Sequence, residues 1–224
     1  MHPFLSHQNK MTYYKYTLIL FLSFILFGCQ QVYYNTLEKV GIHKRDILVD
    51  RIEQVQEAQK ESQEEFQSAL EQLSGLIAFE GGELEAFYEK LKGEYDDAKQ
   101  AAGVVTKRIN SVEQVAEDLF EEWEEELGQY RNATLRSKSQ QKLNTTKRRF
   151  KKLLKGMRKS EKSMQPVLTA LNDQTLYLKH NLNAQAIGAI KGEFKKLKTD
   201  INTLIRSMNH SIQEASTFIS EIEK

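Results

Sequence analysis

From Leu84 to Trp123 the apolar residues recur every seven positions in two interleaved series. One runs Leu84, Leu91, Ala98, Val105, Val112, Leu119; the other runs Tyr88, Tyr95, Ala102, Ile109, Ala116, Trp123. Alternating steps of four and three define an a/d seam on one continuous helix, whereas a strand would alternate with period two. At 1.5 Å per residue, a helix over 83–128 is roughly 70 Å long. The C-terminal stretch repeats the pattern through Ile187, Phe194, Ile201, Met208, Ala215 and Ile222, with Ile190, Leu197, Leu204 and Phe218 beside them. Another seam passes through Leu143, Phe150, Met157 and Met164, flanked by Leu153 and Val167. A first, less regular helix carries Leu48, Ile52, Val55, Phe66, Leu70, Leu73 and Leu76 or Ile77, and is thin in apolar residues from Ala58 to Glu65.

Turn chemistry separates these segments. Gly81-Gly82 suits the end of the first helix, since glycine takes a left-handed C-terminal cap without strain. The stretch from Gly128 to Thr134 ends the second, with Asn132 or Thr134 as cap for the third. Asn181-Leu182-Asn183 divides the third from the fourth, with Asn183 as N-cap candidate. Pro166 either kinks the third helix or restarts it, because proline deletes one backbone bond. Short connections make neighbours antiparallel. The expected fold is therefore all-α: an elongated up-down-up-down four-helix bundle or coiled coil forming a single domain over 29–224. The alternative is a three-helix coiled coil with a splayed first helix.

Residues 1–28 are laid out as an export signal. Lys10 and Lys15 supply positive charge, an apolar run from Thr17 to Phe27 follows, and Gly28 precedes Cys29. A spanning helix needs roughly 20 apolar residues, so this run is too short to cross a bilayer. Met11 offers a second start that shortens the signal to an ordinary length. Leu26-Phe27-Gly28-Cys29 resembles the bacterial lipobox, whose cysteine is acylated and becomes the mature N-terminus. Phe27 is bulkier than the usual residue there, and an uncleaved signal-anchor is the competing reading. At about 0.8 kcal/mol per buried CH₂, three acyl chains would hold the protein on a membrane essentially permanently. Gln30, in place of an aspartate, implies by the same resemblance the periplasmic face of the outer membrane; the inner membrane is the alternative.

Cys29 is the only cysteine. Neither a disulfide framework nor a cysteine-based zinc site is possible. Charge is instead arranged in blocks. Eight acids lie between Glu113 and Glu126, and thirteen bases lie between Arg131 and Lys162 against the single acid Glu161. The two blocks flank a tight turn and would lie antiparallel, so interhelical pairing that sets register is the first reading. The bases outnumber the acids. Lys147, Arg148, Arg149, Lys151 and Lys152 are therefore a candidate surface for an anionic partner such as peptidoglycan or lipopolysaccharide phosphate. Nucleic acid is not expected for an exported chain.

Catalytic signatures do not emerge. There is no G-x-x-x-x-G-K-[ST] phosphate loop, no H-E-x-x-H, no Glu-x-x-His pair and no G-x-S-x-G elbow. His43, His180 and His210 stand alone, without a second histidine at i+4. No metal or other cofactor is expected, and the chain is not expected to be an enzyme.

Four phrases carry a family resemblance: Tyr34-Asn-Thr-Leu-Glu-Lys-Val-Gly-Ile-His-Lys-Arg-Asp-Ile-Leu-Val-Asp-Arg51, Phe79-Glu-Gly-Gly-Glu-Leu-Glu85, Ala116-Glu-Asp-Leu-Phe-Glu-Glu-Trp-Glu124 and Leu176-Tyr-Leu-Lys-His-Asn-Leu-Asn183. Together they resemble the bacterial domain of unknown function family 2959, whose members are lipoprotein-like. The resemblance covers nearly all of the mature chain and implies a helical envelope protein, with no catalytic residue to carry over. Gly41 to Asp46 and Leu176 to Asn183 depart from plain heptads and are candidate recognition stretches; a helix start and a helix turn are their simpler readings. The functional expectation is a membrane-anchored, non-enzymatic scaffold, adaptor or spacer with an envelope protein or polymer as partner. The alternative is a binding module for an anionic envelope polymer through the basic third helix.

Overall fold

The computed structural model describes residues 43–78 and 84–223. Four helices account for almost all of them: α1 (Lys44–Ile77), α2 (Leu84–Leu127), α3 (Ala133–His180) and α4 (Ala184–Ile222). No strand occurs among the described residues. Contacts divide the chain between Ile47 and Leu48, and the bundle is the unit Leu48–Lys224. The signal region, Cys29 and Gly81-Gly82 lie outside the described residues.

The helix ends follow local chemistry. Asn132 caps α3, its side-chain oxygen accepting from the amides of Thr134 and Leu135 at 2.9 and 3.1 Å. Asn183 caps α4 in the same way, accepting from Gln185 and Ala186. At the start of α1 the Asp46 carboxylate reaches back to accept from the His43 amide, so this end of Gly41–Asp46 is a capped helix start. Pro166 neither breaks nor restarts α3, which runs through it without interruption. Its ring lies on the exposed face, where water can satisfy the carbonyl that loses its amide partner.

The topology can be read from the cross-helix bonds. Lys147–Glu124 and Arg158–Glu113 are spaced alike on α3 and α2, as antiparallel neighbours in one register require. Gln59 meets Ser160 of α3 while Ser62 meets Met164, so α1 and α3 run parallel. Gln56 reaches Ser216 of α4 while Gln59 reaches Ser211, so α1 and α4 run antiparallel. This is an up-down-up-down four-helix bundle. The backbones approach most closely between α2 and α3 and between α3 and α4. The backbone of α1 stands farther off, yet Leu48, Ile52, Val55, Phe66 and Leu73 are fully buried. The first helix therefore closes the core and is not splayed away.

The seams depart from strict heptads at their ends. In α2, Leu91, Ala98, Ala102, Val105, Ile109, Val112 and Ala116 are buried as expected, but the seam then moves to Phe120 and Leu127. Leu119 and Trp123 are only half-buried. In α4, Ile187 and Phe194 are half-buried while Ala186 and Ile190 fill the core. A straight helix of 3.6 residues per turn drifts about 20° per heptad against a 3.5 repeat, so a long seven-residue series rotates out of the core at its ends. Phe120, Phe150 and Phe218 meet edge to face at the shifted seam, at centroid distances of 5.6 and 5.9 Å, and tie α2, α3 and α4 together. Beyond them the α2–α3 hairpin is exposed throughout 128–138, including Tyr130 and Leu135.

Candidate functional site

The third helix places its cations by helical angle, and the structure divides the five predicted bases. Lys147 turns toward α2, pairing with Glu124 at 2.6 Å and lying over the Phe120 ring. Arg149 and Lys152 turn toward α4 and pair with Glu221 and Glu214 at 3.2 and 3.3 Å. Arg148 and Lys151 point to solvent, Arg148 donating to the Thr145 hydroxyl one turn back on the same helix. The expected pairing and the expected surplus are thus both present, on different faces of one helix.

The two pairs to α4 line a surface groove of about 460 Å³ between α3 and α4, walled by Arg149, Lys152, His210, Gln213, Glu214 and Glu221. The Glu214 carboxylate lies over Gly156, in space that a Cβ would occupy. From there it reaches Lys152 and, at 3.6 Å, His210. Absence of a side chain at 156 is what lets the carboxylate sink between the helices. On the other flank Arg158 bonds Glu113, Asn110 and Glu161. Burial works against its charge, but the Glu113 and Glu161 carboxylates outweigh that and hold the guanidinium above its ordinary range. The pairs between helices each keep one partner exposed and contribute about 0–1 kcal/mol apiece, so they select register more than they stabilise.

Further along α3 the solvent-facing set continues. Arg148, Lys151, Lys155, Lys159 and Lys162 are all exposed and lie within an arc of about 80° at 3.6 residues per turn. Successive members sit three or four residues apart, where like charges cost a few tenths of a kcal/mol per pair. No acid pairs with any of the five among the described residues.

A second feature was missed by sequence reasoning. Gln59, fully buried in α1, donates to the hydroxyls of Ser160 in α3 and Ser211 in α4, at 2.8 and 3.2 Å. Ser160 also donates to the Met157 carbonyl, and Ser62 packs its hydroxyl on the Met164 sulfur at 3.7 Å. The Gln59 carbonyl oxygen has no partner among the described residues. The signal was available in the seams. Ser160 continues the series of Leu153 and Val167, and Ser211 continues that of Leu204 and Phe218, so two polar residues stand at core positions. The polar middle of α1 is their complement. Such a layer has the character of a register lock, because any slip strands the buried amide against apolar neighbours.

The other candidates resolve simply. Leu176, Tyr177 and Leu182 are exposed at the α3–α4 turn, where Asn181 donates its side-chain amide to the Tyr177 carbonyl. His43, His180 and His210 are not brought together into a metal-binding group, and no group of three or more His, Cys, Asp or Glu residues suited to a metal occurs among the described residues. No described helix is long and apolar enough to cross a membrane.

A family model described as protein of unknown function DUF2959 matches residues 33–222. The chain belongs to this family. The match spans all four helices, so the polar layer and the charged flanks of α3 both fall inside the DUF2959 region. No curated protein matches the chain.

Proposed function

We propose that this DUF2959 chain is a bacterial envelope lipoprotein, held by lipid on Cys29, whose bundle serves as a non-enzymatic scaffold or spacer. The observation that carries this reading is how completely the helices use one another. Their apolar seams are buried mutually from Leu48 to Ile222, and what they present outward is long, polar and charged. A helix of 48 residues gives α3 a straight reach of about 72 Å. That is suited to spanning distance or displaying a surface.

The lipobox-like Leu26-Phe27-Gly28-Cys29 after a short apolar run supports the anchor, and Gln30 supports the outer membrane over the inner. Labelling cells with radioactive palmitate tests the anchor: the wild type should take up label and Cys29→Ser should not. Label in the mutant would remove the basis for the lipoprotein assignment. In-cell crosslinking followed by mass spectrometry tests the scaffold, which requires recurrent envelope partners. A second reading, a binding module for an anionic envelope polymer, is favoured by the unpaired cations on α3.

A further inference from the structure

The bases of α3 fall into two groups with different surroundings. Lys147, Arg149, Lys152 and Arg158 each face a carboxylate of α2 or α4. Those carboxylates, together with Glu161, flank the outer face of the helix and are already engaged. Arg148, Lys151, Lys155, Lys159 and Lys162 are left as a row about 21 Å long within that 80° arc, with successive charges about 4.5 to 6 Å apart along the axis. Like charges at i,i+3 and i,i+4 repel, so the isolated fold is under a local strain that an external anion would relieve.

We infer that this row binds a linear polyanion lying along α3. This deepens the second reading above, naming its surface and the form of its ligand. It rests on the scaffold proposal only for where the polymer is met. Four of the five cations are lysines, which act as point charges and read charge density, not the planar geometry that an arginine fork would select. A single file of charges matches a chain carrying a charge on each unit better than it matches a plane of headgroups. The neighbouring outer positions, Gln141, Asn144, Pro166 and Thr169, are exposed and offer no large apolar group to insert into a bilayer. The aromatic residue within the row's span, Phe150, is buried against Phe120 and Phe218 and is not available to stack nucleobases.

Two triple variants of the full chain in detergent micelles decide the matter, because they change net charge equally. Lys151→Gln, Lys155→Gln and Lys159→Gln empty the row; Lys147→Gln, Arg149→Gln and Lys152→Gln remove paired cations beside it. With long-chain polyphosphate as probe, the wild type should lose roughly 100-fold in affinity between 50 and 200 mM salt if five charges are neutralised. The row variant should bind at least tenfold more weakly than wild type with a shallower salt slope, while the paired variant should stay within threefold. Circular dichroism checks folding, and the matching Lys→Arg triple in the row should retain binding. Equal losses in the two Gln variants would overturn the proposal, as would binding to anionic vesicles but not to the polymer. Neither outcome depends on whether Cys29 is acylated.

Discussion

Gln59 concentrates the energetic tension of the core in one side chain. Its amide nitrogen is used twice and its oxygen not at all, in a position with no access to water. An unpartnered buried polar atom costs about 1–3 kcal/mol. Replacing the layer as a unit, Gln59→Leu with Ser160→Ala and Ser211→Ala, removes that atom without stranding either hydroxyl, so it should raise unfolding free energy by about 1 kcal/mol in urea titrations. Gln59→Ala leaves a cavity and should lower it by about 2 kcal/mol. Glu65 is the other strained residue. Burial first, then the charges of Asp97, Glu94, Glu64 and Glu61, push its carboxyl above the ordinary range. The folded state thus holds this proton more tightly than the unfolded state. Its favourable contribution is complete below the unfolded pKa and is lost as pH rises through the folded one. Glu65→Gln should therefore stabilise at neutral pH by up to about 0.5 kcal/mol, since solvent screens most of the repulsion, with the gain vanishing in acid. Thermal melts at two pH values check both the size and the sign.

At the scale of the helices, boundaries come from short-range chemistry. Asn132 and Asn183 each satisfy two amides of the helix they start. Asn132→Ala should cost about 1 kcal/mol, seen as a lower urea midpoint with unchanged slope. These caps were readable from sequence because their whole mechanism lies within four residues. Pro166 was not, because its tolerance depends on which face of α3 meets solvent. The fates of Leu119 and Trp123 were likewise hidden: heptad counting assigns them to the seam, but a straight helix turns the seam toward Phe120 and Leu127. Trp123 instead uses its indole N–H on the Ser139 hydroxyl at 2.8 Å.

For the bundle, apolar packing outweighs surface charge. The pairs that join α3 to its neighbours each keep one partner exposed and are worth about 0–1 kcal/mol apiece. Phe66, fully buried in α1, should cost about 3–5 kcal/mol when truncated to alanine. Raising salt to about 1 M, well into the screening regime, should shift the unfolding free energy less than Phe66→Ala does. Guanidinium would mask that comparison by screening charge itself, so urea with added sodium chloride is the appropriate measurement.

The sequence by itself determined that the fold is helical, that there are four long segments, where two of the three turns sit with Asn183 and either Asn132 or Thr134 as their capping candidates, and that α3 is basic. Period, capping and composition are local properties, and each is written within one or two turns of chain. Only the tertiary structure decided that α1 closes the core, that its polar middle faces Ser160 and Ser211, and which cations of α3 are spent. Those outcomes depend on the rotation of each helix about its axis, which is set by packing against three others. A row of bases and a set of ion pairs are one string of letters until that rotation separates them.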